Sequence, residues 1–198
     1  MFTTVIDTHD DHCVSQLRDA LSKIILPIAK DNRPIVFLCV GTDRSTGDCL
    51  GPLVGSKLQF LIRDKVYLYG NLENPVHAKN LQEFIDKIHN AFINPFIIAV
   101  DASLGNIQNV GKIFIEDKPL NPGSAMNKDL PAVGHISITG IVNISGALEF
   151  MVLQNTRLCT VMQLADIISK GIYHCVIKTL GGKRSRSQKL MDKLEQIT

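Results

Sequence analysis

Pro34-Ile35-Val36-Phe37-Leu38-Cys39-Val40 passes directly into Gly41-Thr42-Asp43-Arg44-Ser45-Thr46-Gly47-Asp48-Cys49-Leu50-Gly51-Pro52. The apolar run between Pro34 and Gly41 has the length of a strand, not of a helix. It does not alternate with polar residues, so both of its faces must be covered, as in a parallel sheet with helices on each side. After the glycine-rich turn, Leu50, Leu53, Val54, Leu58, Leu61 and Ile62 recur at helical spacing. Pro52 is tolerated because it lies in the first turn of that helix. Strand, loop and helix in this order form the building unit of an α/β domain.

The same unit recurs further along. Pro95-Phe96-Ile97-Ile98-Ala99-Val100 is a second buried strand, followed at once by Asp101-Ala102-Ser103-Leu104-Gly105, which reads as a loop. Val66–Tyr69 and Gly111–Ile115 are shorter strands, and the alternation of the second places it near a sheet edge. Apolar stripes at helical spacing occupy Val14–Ile25, Leu81–Phe92, Ile144–Val152 and Val161–Val176. Alternating strands and helices predict a three-layer α/β/α fold with a mostly parallel central sheet. Residues 1–182 form one α/β domain on this reading, ended by Gly181-Gly182. Residues 183–198, opening with Lys183-Arg184-Ser185-Arg186, form a basic, solvated C-terminal tail. The region Glu116–Gly134 is rich in Pro, Gly, Asn and Lys, and a loop of that length in a compact domain is more often functional or mobile than filler.

Composition narrows the function classes. The chain has 198 residues, enough for a core that needs neither disulfide nor metal. A net charge of +2, with much of the basic excess in the tail, gives no domain-wide basic stripe and argues against nucleic acid as partner. No stretch reaches the roughly 20 apolar residues of a membrane span, and the start of the chain lacks a signal-peptide pattern. A cytoplasmic protein without membrane association is expected. Cys13, Cys39, Cys49, Cys159 and Cys175 are scattered and odd in number, which reads as reduced thiols. Cys49, beside Asp48 at a helix start, is the thiol placed for a lowered pKa; with no histidine in a partner motif, it is not expected to be a nucleophile.

Ligands of open α/β sheets sit beyond the carboxyl ends of the strands. Asp48 and Asp101 follow the two long strands, and if these are neighbours, both carboxylates face one crevice. Carboxylates that share a crevice split their pKa values into one acid and one base, which hydrolysis through an activated water requires. Each could instead cap local backbone, Asp48 at a helix start and Asp101 at a turn. The same pair with a histidine could hold a divalent metal; Asp48, Asp101 and His135 would be its ligands, although no cofactor is required. Asp43, Arg44, Gly47, His77, Lys128 and His135 are candidates for substrate binding, with His77 also readable as a helix-start residue. The Gly41–Gly51 loop is not a phosphate cradle: no Gly-Lys-Ser/Thr follows, and Asp43 and Asp48 would repel phosphate.

Phe37–Pro52 resembles the first motif of the YyaC-like sporulation proteins (DUF1256), relatives of the spore germination protease. Tyr69-Gly-Asn-Leu-Glu-Asn-Pro-Val-His77, Ala99-Val-Asp-Ala-Ser-Leu-Gly105, Ile136-Ser-Ile-Thr-Gly-Ile-Val-Asn143 and Val152-Leu-Gln-Asn-Thr-Arg157 continue the resemblance. It spans roughly Arg33 to Gly171. It implies the phosphorylase/hydrolase-like (HybD-like) fold shared with hydrogenase-maturation proteases. The aspartates implicated in germination-protease catalysis fall here on Asp48 and Asp101, and Pro122–Lys128 is similar to that enzyme's Pro-Gly-rich loop. The resemblance implies a sporulation-associated endopeptidase acting on a protein or peptide substrate in the forespore or mother cell. Two alternatives stay open: a non-catalytic sporulation factor that binds a peptide in the same crevice, and a metal-dependent maturation-type protease. Homo-oligomerisation is left open as well.

Overall fold

The computed structural model describes residues 2–61, 63–122 and 131–181. Six strands form one sheet: β1 (Thr3–Asp7), β2 (Ile35–Cys39), β3 (Val66–Tyr69), β4 (Phe96–Gly105), β5 (Lys112–Glu116) and β6 (Ile136–Ile144). Their order across the sheet is β1-β5-β6-β4-β2-β3. β3, β2, β4 and β6 are mutually parallel, while β5 is antiparallel to both β6 and β1. Five helices complete the described chain: α1 (Cys13–Lys30), α2 (Leu50–Leu58), α3 (Leu81–Ala91), α4 (Glu149–Gln154) and α5 (Leu158–Leu180).

Two hydrophobic clusters on opposite faces of the sheet make the three layers. Ile35, Phe37 and Cys39 of β2, with Phe96, Ile98 and Val100 of β4, point towards α1, α2 and α5. Val36, Leu38, Ile97 and Ala99 point the other way, onto Leu81 and Ile88 of α3. The alternation of side chains along a strand therefore feeds both cores, and every residue of β2 is buried. α1 and α5 approach closely because Gly171 has no side chain; a Cβ there would enter the space of Leu17.

Several expectations need correction. β5 does lie near an edge, but the unexpected edge strand is the N-terminal segment, which as β1 covers it from Thr3↔Glu116 to Asp7↔Lys112. The hydroxyl-bearing segment 136–144 is a strand at the heart of the sheet, with Ser137 and Thr139 buried. The helical stripe expected over Ile144–Val152 is broken. Ile144 ends β6, Leu148 takes a left-handed conformation (φ 58°), and the helix is only the six residues of α4. Asp101 is not in a loop: β4 runs on past it to Gly105. The basic tail from Lys183 onward and Lys128 lie outside the described residues.

Candidate active site

Chain order places the site. From β2 the chain moves outward to β3 and then crosses to β4 on β2's other side. The gap between β2 and β4 is the switch point of the parallel sheet, where loops diverge and leave a crevice at the strands' carboxyl ends. β2 pairs with β4 as far as Cys39↔Val100, and the Val40 N–H makes the last bond, 2.7 Å to the Val100 carbonyl. Asp101 is the next residue of β4.

Asp48 arrives from above. Gly41 turns the chain off β2, donating its N–H to the Val76 carbonyl at 2.7 Å. The loop closes when the Thr42 N–H bonds the Asp48 carbonyl at 3.1 Å. Gly41 sits under that carbonyl at φ 141°, where a Cβ would strike the Asp48 oxygen. A 3₁₀ turn, Gly47–Cys49, then leads into α2. α2 rests directly on the strand ends, because a Cβ on Gly51 would overlap the Val40 carbonyl. The glycines of this motif thus fix where Asp48 stands.

Both carboxyl groups are shifted upward, and the charge of Asp48 reaches Asp101. Burial is the main cause of a raised pKa at Asp48. The Ser45 hydroxyl opposes that rise, although it lies outside good hydrogen-bonding geometry and is the buried side-chain oxygen without a partner among the described residues. At Asp101 burial pushes the pKa well above the ordinary value, the Ala102 N–H at 2.7 Å pulls against it, and the charge of Asp48 adds to the rise. Behind them, burial pushes the Cys39 thiol up to about 12, with the Asp101 charge contributing. Asp101, pushed up most by burial and further by the Asp48 charge, therefore holds its proton to higher pH than an ordinary carboxyl.

The other candidates divide. His77 is at the same end of the sheet, one residue after Val76, which bridges Val40. It is half-buried and starts the turn into α3, its N–H bonding Asn80 Oδ1 at 2.8 Å and its Nδ1 accepting from the Lys79 N–H at 3.3 Å. Asp43 and Arg44 are exposed on the closing loop and form no ion pair with each other. Gly47 belongs to the buried part of the 3₁₀ turn. It is buried beneath α4, and a Cβ there would lie 2.7 Å from Leu153 Cδ2.

His135 is at the wrong end of the sheet. Its N–H bonds the Ile97 carbonyl at 2.7 Å, its Nδ1 accepts the Ile97 N–H at 3.1 Å, and its ring stacks on Phe96. Ile97 precedes Asp101 by four strand residues, about 13 Å. His135 therefore cannot join Asp48 and Asp101 as a metal triad, and no group of three His, Cys, Asp or Glu side chains suited to a metal gathers among the described residues. Cys49 also departs from expectation. Its thiol bonds the Thr46 carbonyl at 2.9 Å, and its pKa is raised, first by burial and further by Asp48 and Asp43. Sequence reasoning missed Ser45, whose only sequence signal was a hydroxyl between Asp43 and Asp48.

This site lies in a chain that belongs to the DUF1256 family (protein of unknown function), whose model matches residues 5–171. The chain is 44% identical over 189 residues to "Uncharacterized protein YyaC" of Bacillus subtilis (strain 168), covering 96% of this chain and 88% of that protein. Among solved structures, the [NiFe] hydrogenase maturation protease HycI from Thermococcus kodakarensis KOD1 is similar over 68% of this chain and 91% of its own, with 19% identity and a TM-score of 0.38. No helix among the described residues is long and apolar enough to cross a membrane.

Proposed function

We propose that the protein is an endopeptidase in which Asp48 and Asp101 activate water against a peptide carbonyl. What supports this reading is the position of Asp48 and Asp101 in the segments that follow β2 and extend β4 at the switch point, where burial raises the pKa of both and the Asp48 charge adds to the rise at Asp101. Asp48 is the less desolvated member and has the Ser45 hydroxyl beside it, so it ionises first. Asp101 keeps the proton. The Asp48 carboxylate takes a proton from water as the water oxygen bonds to the carbonyl carbon. Asp101 gives its proton to the carbonyl oxygen, which becomes a hydroxyl. Collapse breaks the C–N bond, the nitrogen leaves with the proton held by Asp48, and the hydroxyl proton returns to Asp101. No step requires a third ligand or a metal. By the motifs shared with the germination protease, the substrate is a protein of the sporulating cell.

Asp48→Asn and Asp101→Asn each test this on protein substrates offered to the purified chain. General acid or base catalysis contributes about 10²–10⁴-fold, and each variant should lose at least that much with its fold retained. Cleavage at the wild-type rate by either folded variant removes the proposal.

A further inference from the structure

One edge of β4 is left open beside the two aspartates. β2 accompanies β4 only as far as Val100, and Gly41 then turns towards Val76. β4 continues through Asp101, Ala102, Ser103, Leu104 and Gly105 with β6 along one side. No strand lies along its other side among the described residues. All five residues keep part of their surface exposed. Successive residues of a strand direct their N–H and C=O groups to alternate sides. Val100 accepts its bond from the β2 side, so Ala102 and Leu104 direct their backbone groups the same way. The register shift between Ser103 and Leu104 places its extra residue, Val142, on β6, so the alternation along β4 is undisturbed.

We propose that this edge binds an extended segment of the peptide substrate as an added strand, taking the line that β2 abandons at Val40. Open strand edges are a liability that proteins ordinarily cover or charge, and this one adjoins the proposed catalytic pair. The Ala102 N–H is already given to Asp101 and the Leu104 carbonyl accepts the Ser103 hydroxyl. The Ala102 carbonyl, the Leu104 N–H and the second lone pair of the Leu104 carbonyl are left to recognise an extended peptide through its main chain, as in other strand-addition complexes. Five strand residues span about 13–16 Å, which accommodates four to five substrate residues. Asp101 stands at the first of these positions, so an added strand carries a peptide bond past the carboxyls. At the far end Ile107 and Ile144 are exposed, and Ile144 is paired with Gly105. The favoured ligand is therefore an extended peptide recognised through its main chain, and exposed apolar residues at this end of the sheet favour an apolar side chain within it.

This inference rests on the peptidase reading for the fate of the peptide, but binding can be tested separately. Wild-type ¹⁵N-labelled protein is titrated with end-capped octapeptides in which Val or Ile alternates with Ser. The same peptides are then N-methylated at one residue at a time. Strand addition predicts a shifted and more slowly exchanging amide at Leu104, and a shifted amide at Ala102, whose N–H is already bonded to Asp101. It also predicts binding weakened about tenfold by N-methylation at every second residue and little affected between. The inference is overturned if millimolar peptide leaves the amides of residues 101–105 unmoved, or if N-methylation acts without period two. Mass spectrometry of the same samples separates the two proposals. Period-two binding without new termini sinks the peptidase and keeps the edge site; new termini without period-two sensitivity do the reverse.

Discussion

Asp101 owes its raised pKa more to position than to its charged neighbour. It is the first residue of β4 beyond the β2 ladder, held against the sheet with one backbone N–H as compensation. Asp48 differs in having the Ser45 hydroxyl close enough to oppose its raised pKa although no hydrogen bond joins them in this structure, and a hydroxyl that turns to donate favours the charged form of its acceptor. Removing that donor should raise the lower of the pair's two titrations. Ser45→Ala should move it to higher pH, and Ser45→Thr should restore it, as read by ¹³C-carboxyl NMR of aspartate-labelled protein. An unmoved titration in folded Ser45→Ala would leave Ser45 without influence on the pair. The aspartates were legible in the sequence because each closes an apolar run. Ser45 was not, because a hydroxyl in a Thr-Asp-Arg-Ser-Thr-Gly turn reads equally well as a local turn bond. Cys49 misled for a related reason: proximity to a helix start suggests a thiolate, but burial beside two carboxylates outweighs it.

At the scale of elements, the site depends on how closely α2 sits on the strand ends. Gly51 allows this contact, and alanine there would press a methyl group into the Val40 carbonyl. Gly51→Ala should cost about 2–3 kcal/mol. Gly146→Ala, with nothing within 4 Å of the added carbon, should stay within about 0.5 kcal/mol of wild type. Urea denaturation of the two variants compares them directly, and equal midpoints would mean that α2 can lift without penalty. Sequence patterns gave β2, β3, β5 and the start of β4, as well as α1, α2, α3 and α5, because apolar runs, alternation and helical stripes are strong signals. β1 was missed because Thr3–Asp7 is largely exposed and pairs along only one side. β6 was missed because Ser137 and Thr139 interrupt its apolar run, although both are buried inside the sheet. The length of β4 was underestimated because Asp101 looked like a strand's end, whereas pairing with β6 carries it further.

For the whole molecule, the raised carboxyl pKa values predict how stability varies with pH. Between the ordinary carboxyl value and the raised folded value, Asp101 binds its proton more tightly when folded, so the folded state holds more protons than the unfolded. Stability must then fall as pH rises through that window. Asp101→Asn should flatten the dependence and raise stability at neutral pH, with Asp48 leaving a smaller slope of the same sign. Urea midpoints measured at intervals from mild acid to neutrality test this, and a slope identical to wild type would contradict the burial assigned to Asp101. The three-layer plan was readable from alternating elements. The strand order was not, since it depends on which neighbours cover each edge and not on any single segment.

The pairing of β1 with β5 has a further consequence, for the order of events during biosynthesis. Thr3–Asp7 is made before every other described element, yet its partner, Lys112–Glu116, is translated more than a hundred residues later. Until then the leading strand has nothing to join. Closure of such distant pairs is slow, and strands that wait invite wrong partners. One core joins Ile6 of β1 and Ile113 of β5 to β2, β4 and α5, and β6 and α5 are translated later still, so that face of the sheet is completed only when the last helix has been made.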